Sequence, residues 1–401
     1  MKLVPFPNQY LRAGCPLPFG VHDGTGRLLL GGGTKIEGDA QLSTLQAQPL
    51  FVDEGAMAEW RRRVQVAMDH QIRQGAVLAK VAEAQPEATD KNARPARERL
   101  LPEQWDMLVS QLDSALRDVR PDSDWRARVL DVHERSRQLL ARRPDASLYH
   151  LVHSAAHSAE KYSSNHAVLT SVICELAAPL LDWPADWCKS VTLAALTMDV
   201  AVLRLQDQQA ASQLPLSAAA QAEIAAHART GAQLLSDCAL HDATAVEVVR
   251  RHDEPDKAGV ALSSLPAAQQ MARLLRRAEV FAAKIRRRAA SLPTTPMSAT
   301  RDACLGADGK PDEIGGALVK AVGLYPPGSF VELVSGELGI VLARGRRADL
   351  PVVATLKSAS GEALLEPMVR DTVERRHAVK CGLPPERVKV HPPHERLMAL
   401  R

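Results

Sequence analysis

The chain changes texture twice along its length. Its first part alternates short apolar runs with turn signals: Leu28-Leu29-Leu30 follows Asp23-Gly24-Thr25-Gly26, and Leu50-Phe51-Val52 follows a helix predicted over 39–46. The run Gly31-Gly32-Gly33 reads as a plain turn, because no Lys-Ser/Thr follows it and it opens no helix in a βαβ unit. From Asp53 the apolar positions recur with helical period, and helices are predicted over 55–84, 102–118, 123–142, 145–160, 165–182, 185–206, 217–237, 241–253 and 266–291. The polar, proline-flanked stretch 85–95 reads as a linker.

After Pro293 the pattern shifts again. One more helix, 312–323, precedes Phe330–Val334 and Leu338–Leu342, which flank Ser335-Gly336-Glu337 as a hairpin, and 351–356 and 388–390 read as further strands. The expected fold is mainly α, a multi-helix bundle with a small β module at each end. Four regions follow: a β-rich N-terminal module (1–52), a helical connecting region (53–144), a helical core (145–323) and a C-terminal β extension (324–401). No internal repeat is visible.

Composition narrows the function. Five Phe, four Tyr and five Trp in 401 residues, with a net charge of +3, are too few aromatics and too little positive charge for a nucleic-acid groove. No run approaches the roughly 18 uncharged apolar residues that a membrane span needs. The six cysteines lie far apart with no C-x-x-C pair, and no apolar stretch of signal-peptide length opens the chain, so a reducing cytoplasm is expected. The triplets Arg61–Arg63 and Arg286–Arg288 read as solvated faces, the second also favoured by the end of its helix.

Within the helical middle, five ionisable residues fall on or beside apolar stripes. His166 heads the stripe Leu169, Thr170, Ile173, Ala177; Asp199 lies between Leu196 and Leu203; His227 follows Ile224; His252 follows Val248 and Val249; Glu279 follows Leu275. An inward carboxylate or imidazole is costly unless paired, hydrogen-bonded or bound to metal. Three histidines and two carboxylates from five predicted helices suit a transition-metal site between helices of a bundle, although spacing within helices does not say how the helices meet.

The order His166, Met198-Asp199, His227 in HARTGAQLL, Arg251-His252 and Glu279 in ARLLRRAEVFAA resembles the HD-GYP branch of the HD-domain phosphohydrolases. The resemblance covers about 145–345 and extends to YPPGSFVELVSGELGIVL and to the small N-terminal module. It implies an HD-type helical bundle in which a first His, a His-Asp pair, a His in an H-P-x-x-G-like turn, a His-His pair and an Asp bind two or three iron or manganese ions that serve hydrolysis of cyclic di-GMP.

The departures fall at the chemistry. Met198 stands where the family has His, and a thioether is a poor donor to hard iron or manganese. Ala201-Val202 replaces Gly-Lys, Ala228 replaces Pro, and Arg251 replaces the first residue of the His-His pair and would repel a metal. The Gly-Tyr-Pro signature is absent after His252, and Glu279 is one methylene longer than Asp. The expectation is a degenerate HD-GYP-related signalling or scaffold protein, without phosphodiesterase activity or cofactor. It would bind a protein partner or cyclic di-GMP, with Arg251, Arg273 and Arg277 as phosphate contacts and homodimerisation left open. The competing expectation is a metal-dependent cyclic di-GMP phosphodiesterase using His166, Asp199, His227, His252 and Glu279 on iron or manganese, with Asp199 the catalytic candidate. His150, His153 and His157 share one helical face with Glu160 but lack H-E-x-x-H chemistry, so a polar face is preferred there over zinc. No G-x-S-x-G elbow is present.

Overall fold

A computed structural model describes residues 3–7, 11, 19–31, 34, 36, 38–57, 60, 100–390 and 394–400. The predicted helix beyond residue 60, the linker at 85–95, Arg61–Arg63, Gly32, Gly33 and Cys15 lie outside them. The chain divides into two units, Met1–Glu98 and Arg99–Arg401.

In the first unit β1 (Leu3–Phe6), β2 (Val21–His22), β3 (Leu28–Leu30) and β4 (Leu50–Asp53) form an antiparallel sheet in the order β1-β4-β2-β3, with α1 (Gly38–Gln46) entering between β3 and β4. Its core gathers Phe6, Phe19, Val21, Leu30, Ile36, Leu50, Val52 and Trp60. Phe6, Phe19 and Trp60 meet edge to face, which lets ring edges rest on ring faces. Strands β1 and β2 escape the sequence pattern because runs of four and two residues are too short to show alternation.

The second unit is helical up to residue 322. It runs α2 (Leu101–Leu116), α3 (Trp125–Arg142), α4 (Pro144–His157), α5 (Tyr162–Ala177), α6 (Ala185–Thr197), α7 (Leu203–Ala211), α8 (Ala218–Asp237), α9 (Ala243–Arg251), α10 (Ala267–Ile285), α11 (Pro296–Cys304) and α12 (Glu313–Val322). Caps set several starts: Ser217 Oγ accepts from Ala220 N at the head of α8, and Asp242 Oδ1 from Ala245 N at the head of α9. Helix α5 lies at the centre, packed against α2, α4, α6, α7, α10 and α12. By length and composition Tyr162–Leu181 would pass for a membrane span, but 67% of that window is buried inside the fold, as a core helix must be.

Two differences from the sequence reading matter. Helices α2 and α3 bury Trp105, Leu108, Leu112, Trp125, Val129 and Val132 in the same core as Leu148, Ile173 and Phe281. The boundary at residue 98 therefore cuts through the region read as 53–144, and its second half belongs to the bundle. Second, the helix predicted over 185–206 is broken: α6 ends at Thr197, Met198–Val202 forms a turn, and α7 begins at Leu203. No Gly or Pro marks this break, which is held by Val200 N donating to Thr197 O and Val202 N to Asp199 O. Helix α10 also stops at Ile285, short of the predicted 291, and α11 was not foreseen.

The C-terminal part is an antiparallel sheet of β5 (Phe330–Leu333), β6 (Leu338–Ala343), β7 (Val352–Lys357), β8 (Val369–Asp371) and β9 (Val379–Leu383), in the order β8-β7-β6-β5-β9, followed by α13 (His394–Ala399). The expected hairpin is β5–β6, with Phe330 opposite Ile340. The strand expected at 388–390 is absent; those residues follow a 3-10 turn at Pro385–Arg387, and the partner of β5 is β9 instead. Sheet and bundle are joined by Tyr149 of α4, buried with Phe330 and Leu342, and by Arg344, whose Nε reaches Asp145 Oδ1 at 2.5 Å. Gly328 (φ +88°) lets the backbone run against α4, where a Cβ would fall 2.3 Å from Tyr149 O.

Trp105 is fully buried and donates from Nε1 to Ser147 Oγ at 3.1 Å, linking α2 to α4. Trp105→Ala is expected to cost about 3–5 kcal/mol and to shift one cooperative denaturant transition of the helical unit. A separate early transition for α2 and α3, with the rest unmoved, would show that they fold apart.

Candidate functional site

The turn at 198–202 brings a carboxylate inside the bundle. Asp199 is 3% exposed, and Gly231 of α8 supports the turn, with Met198 O and Val200 Cγ1 each 3.5 Å from where a Cβ would lie. Gln206 Nε2 donates to Asp199 Oδ1 at 2.8 Å, and His227 Nε2 stands 3.7 Å from the same oxygen. Asp199 Oδ2 has no partner. Burial drives the Asp199 carboxyl up from its ordinary value, opposed by His227 and Gln206.

His227 on α8 and His252 at the end of α9 meet through Nε2 atoms 3.0 Å apart, rings nearly perpendicular at 84°. Each ring is pinned through its other nitrogen to its own helix: His227 Nδ1 to Ile224 O at 2.6 Å and His252 Nδ1 to Val249 O at 2.7 Å. A carbonyl only accepts, so both Nδ1 atoms carry protons and both Nε2 lone pairs face one another. Asp199 Oδ1 lies beside this pair, 3.7 Å from His227 Nε2. Burial and His227 push His252 down to about 4.

His166, 3% exposed on α5, lies beside this pair, with an unpartnered Nδ1 and a pKa held well below 6.5 by burial and by Arg286 and Arg288. Tyr162 stacks on it with ring centroids 6.0 Å apart. Glu279 on α10 is partly buried; burial, then Asp199 and Asp253, push its carboxyl up to about 8. The structure thus brings the five sequence-derived residues to one region of the bundle. Among the described residues, however, no group of three His, Cys, Asp or Glu is arranged to hold a metal ion.

The fit to a dinuclear iron or manganese centre fails on the residues themselves. Met198 is fully buried where an imidazole would be needed. Arg251 turns outward, its Nε 2.5 Å from Glu247 Oε1 and its Nη1 3.2 Å from Glu254 Oε1. The orphaned Asp199 Oδ2 and the facing Nε2 pair leave donors for one cation at most.

The three arginines expected to contact phosphate are all committed elsewhere. Arg251 is spent on Glu247 and Glu254; Arg273 Nε lies 3.2 Å from Asp256 Oδ1; Arg277 is buried and bridges Asp256 at 2.9 Å and Asp312 at 2.5 Å. Neutralised guanidinium groups of this kind fix loops and do not offer a free fork. His150 bonds Asp106, His157 Nδ1 donates to His153 O, and His153 stacks at 4.0 Å on His157 and meets His394 at 4.5 Å beneath the C-terminal sheet. Burial holds His153 down to about 3, its ring packed between His157 and His394. Sequence reasoning missed Tyr162, Gln206, Arg286 and Arg288; only the Arg286–Arg288 run was visible, and charge alone gave it no direction.

No family model matches the chain. A curated cyclic di-GMP phosphodiesterase of Pseudomonas aeruginosa is 27% identical over 220 residues, 53% of this chain and 52% of that protein. The chain thus spans about half the length of this curated relative. Among solved structures, an HDG"Y"P protein from Bdellovibrio bacteriovorus aligns with 16% identity and a TM-score of 0.44, over 80% of this chain and 99% of that one. The likeness to a cyclic di-GMP phosphodiesterase is in keeping with the resemblance to HD-GYP proteins that the ordered His, Asp and Glu residues carry.

The two shifted groups pull stability in opposite directions with pH. His252 is neutral in the fold, so its contribution is lost as pH falls from about 6.5 to about 4. Glu279 keeps a proton that the unfolded chain releases, so its contribution is complete below about 4.5 and is lost as pH rises to about 8. Glu279→Gln is expected to remove the decline in melting temperature between pH 6.5 and 8. An unchanged decline would show that Glu279 titrates normally.

Proposed function

We propose that this chain is an HD-GYP-type signalling module that keeps the helical core and has lost the hydrolytic centre, acting in the cytoplasm by binding a cyclic dinucleotide or a protein partner. The observation that supports it most is the joint change at three neighbouring positions. Met198 fills a ligand position with a buried thioether, Val202 replaces the cationic group beside the phosphate, and Arg251 is drawn into surface ion pairs. Hydrolysis of a phosphodiester by two metals requires one to hold the nucleophile and the other the leaving oxygen. With two ligand positions changed, the groups that would organise both are absent. The phosphodiesterase activity of the relative names the ligand class, a cyclic dinucleotide, that the retained core would still recognise.

A second reading is a metal-dependent cyclic di-GMP phosphodiesterase with an atypical ligand set. The facing Nε2 atoms of His227 and His252 favour it, because metal-bound histidines commonly donate their other ring N–H to a carbonyl, as both do here. In that reading His227, His252 and Asp199 would hold a single iron or manganese ion, which would polarise a phosphoryl oxygen when bound.

Elemental analysis of the purified protein separates the two. Less than about a tenth of an equivalent of iron, manganese and zinc is expected, and the double variant Met198→His/Arg251→His is expected to raise manganese occupancy at least about tenfold by restoring two imidazoles. Two equivalents of metal in the wild type, with manganese-dependent turnover, would contradict the proposal.

A further inference from the structure

Buried polar atoms without a partner mark where a fold expects something more. Around His166 they include His166 Nδ1, Asp199 Oδ2, Gln206 Oε1, and Nε and Nη2 of Arg286. The arginine is the most telling. Arg286 follows the last residue of α10, is 2% exposed, and among the described residues has no ion pair, unlike Arg117, Arg137, Arg277 and Arg344 of the same unit.

Its surroundings sharpen the anomaly. The Arg286 guanidinium lies over the Tyr162 ring, 4.4 Å from the centroid, and Arg288 covers the same ring at 4.9 Å. Arg288, on the exposed side, gives its Nε and Nη2 edge to the Tyr162 hydroxyl at 2.8 and 2.5 Å. The nearby acid Asp207 is committed to Ser163 and to Arg117. Nε and Nη2 of Arg286 form the same side-on edge, whose two parallel N–H groups match two oxygens of one oxyanion. That edge is unspent. A guanidinium stays charged at neutral pH, and burial lowers Arg286 only to about 10. Two cations on one phenol, with no acid assigned to the inner one, call for an anion.

We propose that Arg286, with Arg288 at the solvent side and the Tyr162 ring as floor, forms a subsite for a phosphate group next to His166. The proposal deepens the reading above by naming the part of the ligand that the core grips, and it requires neither metal nor hydrolysis. Phosphate is favoured over a carboxylate because its tetrahedral oxygens can reach Arg288 as well as the Arg286 fork.

Thermal unfolding of the full chain at pH 7 in inorganic phosphate, against acetate and chloride at matched ionic strength, tests this. Phosphate is expected to raise the wild-type midpoint by about 3 °C or more over both other salts. Arg286→Met is expected to lose that gain while melting no lower than wild type in chloride, since it removes an unpaired buried charge. Arg287→Gln, next to it but exposed, keeps the gain. If Arg286→Met fails to fold, Arg286→Lys keeps the charge without the fork and is expected to weaken phosphate binding at least about tenfold by calorimetry. An equal midpoint in phosphate and chloride, equal gains in phosphate and acetate, or an undiminished gain in Arg286→Met overturns the proposal. Manganese-dependent hydrolysis would instead sink the non-hydrolytic reading and leave this subsite standing.

Discussion

Two imidazoles whose acceptor nitrogens face each other across 3.0 Å, inside a helical bundle, set the terms for the rest of the site. Neither ring can rotate away, because each Nδ1 proton is held by a carbonyl of its own helix. The pair lies against Asp199, whose Oδ1 stands 3.7 Å from His227 Nε2. Asp199 reaches it only because the chain leaves the helical path at Thr197 and resumes it at Leu203. The turn, the gap at Gly231 that seats it and the Gln206 amide that steadies the carboxylate all serve one buried electrostatic contact.

Around that contact the positive charge is organised differently from a metal centre. Arg251 has left for the surface, Met198 adds bulk without donating, and Arg286 and Arg288 stack on the phenol beside His166. Guanidinium groups bind phosphate oxygens directly and cannot activate water as a bound metal does. Under the proposed function, a core of this kind would hold a phosphate ester without cleaving it. Low-dielectric surroundings strengthen such charge pairing and make every unpaired polar atom expensive, which is why the orphaned atoms are informative.

Much of this was legible in the sequence. The helical period located nearly every helix of the bundle, and inward placement of His166, Asp199, His227 and His252 followed from spacing against Leu, Ile and Val neighbours. Three things were hidden. The break at Met198–Val202 preserves the apolar pattern on both sides, so periodicity reads straight through it. The fates of Arg273 and Arg277 depend on Asp256 and Asp312, which only tertiary structure pairs with them, whereas Arg251 pairs with its local neighbours Glu247 and Glu254. Arg286 looked like one of three solvated arginines; α10 ends one residue earlier, and the extended backbone there folds its side chain inward while Arg287 and Arg288 stay exposed.

The central claim is that the site holds a phosphate-bearing ligand without opening it. A single-turnover assay, with protein in excess over cyclic di-GMP and saturating manganese, addresses it most directly. The expected result is that the cyclic dinucleotide is recovered intact at the rate of the protein-free control. Manganese-dependent appearance of the linear dinucleotide, abolished by Asp199→Asn, would contradict the account.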